Sequence, residues 1–471
     1  MDYRERKNNM LQGTLKYKQI EFEFLIEENN LRLNPKSGYE DQFAKEFRTV
    51  FKEGAYTDKE NYLEGNYLVG QRLENYQNIV IIPSSKRISS SIFNDYLYIE
   101  IQYIIYLNSQ EPISRMSIYC NELNVIYDTR RAIEKSEFNT NGEVEVKLKS
   151  FNDTETDKFK FKIRNKEIKC SLNISKTLYG KTTEYPVRIR SSIALEFEPI
   201  QDYSILSDLY NIIKRFIQYL CYRRNIKIEE VNICTATENE KYRRIGTLET
   251  INDDIIKEEN KILENRFISY DYIKGYEDNI LQSIADNNLY MRHIPLSYKE
   301  GKRVNEATFI MTTAAFEWEF KKMYKDGIPH SNKTNEAKEK AKSKIENLIK
   351  ISKGKEKKIY KNLLKFITLE GFSENLEYTC NNLNEIIRPF GDRLYGLNNE
   401  KLDYKKMGER LAKQRNHFAH GDLDKEFIGL ALLDLIFLEE IVYAMQLKKC
   451  GISNENIKRS LNKLFNAGIV L

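Results

Sequence analysis

The hydrophobic period of the chain changes near residue 200, and that change constrains the fold more than any other feature of the sequence. Before it, short runs alternate apolar and polar residues, which places one apolar face on a sheet. Ile20, Phe22, Phe24 and Ile26 alternate with Glu21, Glu23 and Leu25, Val144, Val146 and Leu148 with Glu145 and Lys147, and Phe159, Phe161 and Ile163 with Lys160 and Lys162. Asn141-Gly142 precedes the second of these runs and favours a tight turn, because both residues tolerate positive φ. Residues 1–200 are expected to form a β-rich domain, a sandwich or an open barrel with packed helices.

After the change, Ile205, Leu209, Ile212, Phe216 and Leu220 recur at steps of three and four, the stripe of a helix expected to pack on the sheet. Lys227 to Cys234 reads as a further strand, 236–266 as a solvated loop and helix, and 267–300 as a join, making 201–300 a helix-containing connecting region. From Lys302 onward the signals are helical, with Pro329 and Pro389 as breaks. Candidate helices cover 304–325, 334–352, 355–370, 403–420, 425–448 and 453–466, and no internal repeat has a solenoid period. Such a succession predicts a helical bundle over 301–471, and hence an α+β chain. A length of 471 residues exceeds what one core usually supports, so two or three domains are expected.

With 41% hydrophobic and 31% charged residues the chain reads as folded rather than disordered. Cys120, Cys170, Cys221, Cys234, Cys380 and Cys450 lie far apart without a CxxC pair, which argues against a zinc ribbon or disulfide framework and suits a reducing cytoplasm. The opening MDYRERKNNM has charges and no apolar core, so no secretory signal is expected. Phe427 to Met445 is the longest apolar stretch, but it contains Asp434, Glu439 and Glu440, so no membrane span is expected. The formal charge of +5 is uneven: residues 301–471 hold 31 Lys and Arg against 23 Asp and Glu, and residues 1–300 hold 44 against 47. A basic C-terminal part points to a polyanionic partner.

The chain has no P-loop, GxGxxG, HExxH or EF-hand motif, which removes most support for nucleotide hydrolysis, dinucleotide redox chemistry and the familiar zinc or calcium sites. Its histidines are His293, His330, His417 and His420, and the last two fall in one heptapeptide, Arg415-Asn416-His417-Phe418-Ala419-His420-Gly421. Tyr404, Met407, Leu411, Arg415 and Phe418 form a helical stripe, so the Arg415 guanidinium must snorkel, pair or face a pocket. Asn416 and His420 are neighbours on an adjacent face. Five residues carry a helix about 140° beyond one turn, so a single regular helix does not bring Arg415 and His420 together. Either the helix ends near Gly421, with Asp422 or Asp424 capping the next, or a second copy completes the site across a two-fold axis. Plainer roles also fit: basic groups in a last turn complement the helix dipole, and His417 with His420 has metal-ligand spacing, although no third ligand is obvious.

The heptapeptide resembles the signature of HEPN domains, an all-helical superfamily marked by Arg, a polar residue, a short spacer and His. The opening helix AAFEWEFKKMY and the long apolar FIGLALLDLIFLEEIVYAM after the motif are similar to that arrangement, making 301–471 a HEPN-like bundle. Together with the β-rich N-terminal part, the chain resembles ApeA-like HEPN proteins of bacterial phage defence. The resemblance implies a metal-independent endoribonuclease without a cofactor, with Arg415 and His420 catalytic and Asn416 supporting. It also implies a dimer with a composite site, RNA (plausibly transfer RNA) as substrate, and a phage-derived trigger acting through the N-terminal domain.

The chemistry is consistent with these side chains. RNA carries its own nucleophile, the 2′-hydroxyl, so cleavage needs a proton acceptor, stabilisation of phosphorane charge and a proton for the leaving 5′-oxygen. Imidazole suits the proton transfers and guanidinium the phosphate oxygens. Two copies of His420 supply a base and an acid, which leaves His417 auxiliary or structural. A rival from another class is a non-catalytic dimerisation or nucleotide- or RNA-binding module with a structural Arg-His motif. Segment 333–361, with 11 lysines and four glutamates, is either a solvated face or a phosphate-tracking rim. Glu317 and Glu319 flank the only tryptophan, Trp318, and one of them is a candidate partner for Arg415. The 31 Tyr and 23 Phe suit core packing as well as base stacking, and His293 and His330 stand isolated with no role assigned.

Overall fold

The computed structural model describes residues 10–47, 50–52, 55–57, 61–90, 95–138, 142, 144–178, 180, 187–238, 241–251, 266–368, 371–419, 427 and 429–470. The chain forms two compact units, Met1–Gln218 with Asn225–Lys257, and Tyr219–Arg224 with Glu258–Leu471. A β-rich N-terminal part is followed by a helical C-terminal part, an α+β organisation.

In the first unit, β1 (Leu11–Tyr17), β2 (Ile20–Glu27), β3 (Asn30–Pro35), β4 (Leu68–Arg72), β5 (Asn78–Pro83) and β6 (Leu97–Leu107) pair antiparallel. Their circuit, β6-β3-β2-β1-β4-β5 and back to β6, is closed. The expected sandwich or open barrel is thus a closed six-stranded barrel. Closure depends on the length of β6, whose Leu97–Glu100 pair with β3 while Ile101–Leu107 pair with β5. Ile20, Phe22, Phe24 and Ile26 are buried in its core with Leu31, Leu33, Ile79 and Ile99. Helix α1 (Glu40–Phe47) adds Phe43 and Phe47, whose rings lie edge-on to Phe22.

β7 (Ile113–Cys120), β8 (Phe159–Ile163), β9 (Lys166–Leu178), β10 (Val187–Ile200), β11 (Ile228–Ala236) and β12 (Tyr242–Thr250) extend the sheet from β6 in the order β12-β11-β7-β10-β9-β8. The expected strand near 227–234 is β11, but β12 lies where a loop and helix were expected. A register shift opposite Ile233 and Cys234 buries both Ile245 and Gly246, so the alternation that would reveal a strand is broken. Val144–Leu148 is a strand as expected but among the described residues pairs only with Ile133–Phe138, and Val146 is 50% exposed, so its alternation does not mark a core face. Gly142 has φ +79°, while its turn partner Asn141 lies outside the described residues. Helix α2 (Ser204–Cys221) buries its predicted stripe and packs on β6, where Tyr103 donates a hydrogen bond to Asn211 at 2.7 Å and meets Tyr210 edge-on.

The second unit contains α3 (Glu277–Ala285), α4 (Glu306–Met323), α5 (Asn332–Ile351), α6 (Gly354–Thr368), α7 (Phe372–Asn382), α8 (Asn384–Gly396), α9 (Tyr404–Ala419), α10 (Ala431–Lys449) and α11 (Asn454–Leu464). Helix α3 occupies the stretch expected to be an unpatterned join and buries Ile280, Leu281 and Ile284. Pro389, expected to break a helix, lies inside α8, where burial of Ile386, Ile387, Phe390 and Tyr395 outweighs the missing hydrogen bond. Helix α10 is buried on nearly every side and packs against α4, α8, α9 and α11. No helix among the described residues is long and apolar enough to cross a membrane. All six cysteines are buried and none is in a disulfide.

Burial of α10 has an electrostatic cost. Glu440 is 7% exposed, and burial, with the neighbouring Glu439 charge adding to it, pushes its carboxyl from 4.5 up to about 8. His293, far from the other histidines in sequence, is enclosed by the rings of Tyr222, Tyr290 and Tyr443, and burial pushes its imidazole down to about 4. Because the folded Glu440 holds its proton more tightly than the unfolded chain does, its contribution is complete below pH 4.5 and is lost as pH rises towards 8. Glu440→Gln is therefore expected to gain stability over the parent by on the order of 1 kcal/mol per pH unit across that window. Urea unfolding of both proteins from pH 4.5 to 8 checks this, and parallel profiles would contradict it.

Candidate active site

Helix α9 carries most of the heptapeptide, and its rotation is fixed from three directions. Met407, Leu411, Gln414 and Phe418 are buried at steps of four, three and four. Phe418 meets Phe309 of α4 edge-on at 5.5 Å and Phe427 at 5.4 Å. Gly408 permits close approach to α7, since a Cβ there would lie 2.7 Å from Ser373 Oγ and 2.9 Å from its Cα.

The strongest restraint is polar. Arg410 donates from Nε and Nη2 to the two carboxylate oxygens of Asp434, both at 2.6 Å. Asp434, on α10, is fully buried and also accepts a hydrogen bond from the Tyr395 hydroxyl of α8. Burial pushes this carboxyl up while Arg410 and Tyr395 oppose the shift, and hydrogen bonding to Asp434 holds Arg410 charged. A forked donor on a forked acceptor joins three helices at one point.

Arg415 has a different environment. Its Nη1 donates to Glu317 Oε1 of α4 at 2.5 Å, and its guanidinium lies 5.0 Å from the centre of the Phe372 ring of α7. The Arg415 side chain is 27% exposed and that of Glu317 40%. Of the three routes open to an arginine on the apolar stripe, Arg415 pairs. Asn416 is exposed and His417 half-buried, whereas His420, Gly421, Asp422 and Asp424 lie outside the described residues.

The other acid beside Trp318 does different work. Glu319 is fully buried and accepts from the Tyr290 backbone N–H at 2.8 Å, from Gln446 Nε2 at 2.9 Å and from Lys449 Nζ. It ties α4 to α10. Among the described residues no three His, Cys, Asp or Glu side chains gather as metal ligands.

The sequence marks Arg415 and Glu317 as candidates but not Arg410 or Tyr395. The available signal is Asp434 itself, a carboxylate in an apolar run that burial obliges to find a cation. Chemically, Arg415 can exchange a half-exposed carboxylate for a phosphate without breaking the core, whereas Arg410 cannot. Comparison with family models, curated proteins and solved structures returns no match.

The two arginines should separate in a stability measurement. Arg410→Ala strands a buried carboxylate and is expected to cost about 3–5 kcal/mol, while Arg415→Ala loses a partly solvated pair worth about 1 kcal/mol or less. Equal losses in urea unfolding would contradict this division of roles.

Proposed function

We propose that the chain is a cytoplasmic, metal-independent endoribonuclease of the HEPN type, acting as an abortive-infection effector against phage. In this reading Arg415 binds the scissile phosphate, His420 transfers protons, Asn416 supports them, and two copies of the chain combine their motifs in one site. Transfer RNA is the proposed substrate, and the β-rich part receives a phage-derived trigger. The observation that carries the reading is the half-open state of Arg415, held by one partly solvated carboxylate and one ring while its neighbour Arg410 is locked to a buried acid.

The reaction needs little from the protein. A neutral imidazole removes the 2′-hydroxyl proton, the oxygen attacks phosphorus, and a protonated imidazole delivers a proton to the departing 5′-oxygen. The guanidinium balances the charge that accumulates on the phosphorane. A second reading, a binding or dimerising module with a structural motif, draws on the same Arg415–Glu317 pair, which already gives the arginine a partner.

Purified protein incubated with total RNA in EDTA distinguishes the two. We expect cleavage by the parent and a loss of at least about a hundredfold in Arg415→Ala and in His420→Ala, with unfolding profiles close to the parent's. Folded variants that cleave as the parent does would remove the enzymatic reading.

A further inference from the structure

We infer that the hairpin α5–α6 is a docking arm for a nucleic-acid phosphate backbone, distinct from the Arg415 site. The pair spans residues 332–368, which contain 12 lysines, four glutamates and neither aspartate nor arginine. This excess of eight positive charges accounts for the whole charge imbalance of residues 301–471, whose remaining residues carry 19 cations and 19 acids.

The two helices pack along one another. Helix α5 has no buried residue in 20, and Gly354 to Leu364 of α6 have none. A helix in that state gives the unit little core, so the concentration of cations on it is not explained by packing. Among the described residues only Lys342, 3.8 Å from Glu339, forms an ion pair within the hairpin, and Lys338 meets His330. Lysines such as Lys340, Lys344, Lys350, Lys355, Lys357 and Lys358 have no carboxylate partner among the described residues.

The arrangement suits a polynucleotide better than a bilayer. At 100° per residue, Lys342, Lys350, Lys340 and Lys344 are spread over about 200° of α5. The half-buried Ile345, Leu348 and Ile349 form the opposite stripe. A helix lying on lipid turns a continuous apolar face outward between flanking cations, whereas the exposed apolar side chains of the hairpin, Ile351, Ile359 and Leu363, are few beside its 12 lysines. Distributed cations without planar recognition groups track phosphates through counterion release and do not read sequence.

The test uses the full chain carrying His420→Ala, in EDTA, so that binding is read without cleavage. A labelled 30-nucleotide RNA of mixed sequence, the DNA of the same sequence, and phosphatidylserine–phosphatidylcholine vesicles serve as probes between about 50 and 200 mM salt. We expect RNA and DNA to bind, with log K falling linearly in log salt. Lys355→Gln, Lys357→Gln and Lys358→Gln together should weaken binding at least tenfold at low salt and reduce the slope by about two to three. The three corresponding Lys→Arg changes should preserve both. Absence of RNA binding by the parent, an unchanged slope in the glutamine variant, or vesicle binding alone that the glutamine changes abolish would each overturn the assignment. Such results would leave the cleavage reading intact, since that rests on Arg415 and His420.

Discussion

A carboxylate buried in an apolar helix sets the geometry of the second unit. Asp434 is fully enclosed in α10, and leaving it without a counter-charge would cost more than most single packing defects. Arg410 and the Tyr395 hydroxyl meet that demand from α9 and α8, so three helices lose their freedom to rotate independently. Because Arg415 follows Arg410 by five residues, it leaves the helix about 140° further round. That bearing takes it to Glu317 and Phe372. One arginine is thereby committed to the core and the other is left where an anion can compete for it.

The same division between committed and available charge recurs on a larger scale. Glu319 and Lys449 are used internally, joining α4 to α10, and residues 301–331 and 369–471 together carry no net charge. The surplus cations are collected on a helical pair in which none of residues 332–351 and 354–364 is buried. Segregation of this kind keeps a basic surface from destabilising the packed helices, because like charges repel least where solvent screens them.

What the sequence reveals follows from how local each signal is. The barrel strand from Ile20 to Ile26 and the six candidate helices carry their own period; the strand and five of the helices are present close to their expected bounds, and the helix expected over 425–448 runs from Ala431 to Lys449. Barrel closure carries none, because it depends on one strand, β6, pairing with neighbours more than 60 and about 20 residues earlier. β12 escapes notice because a register shift interrupts its alternation, and α8 because Pro389 imitates a boundary that tertiary burial overrides. At the site, Arg415 is conspicuous as a cation on an apolar stripe, and Glu317 is one of two acids whose different roles emerge only from burial. Arg410 is hidden among many nearby cations, although Asp434 announces that some partner must exist.

In the proposed reaction RNA supplies the nucleophile while a guanidinium and imidazoles supply charge and protons. The most direct measurement places a single 2′-deoxynucleotide on the 5′ side of a mapped cleavage position in an otherwise unchanged RNA. This bond alone is expected to become resistant, and cleavage elsewhere to leave 2′,3′-cyclic phosphate and 5′-hydroxyl ends. Continued cleavage at the deoxy position, with a 3′-hydroxyl product, would contradict it.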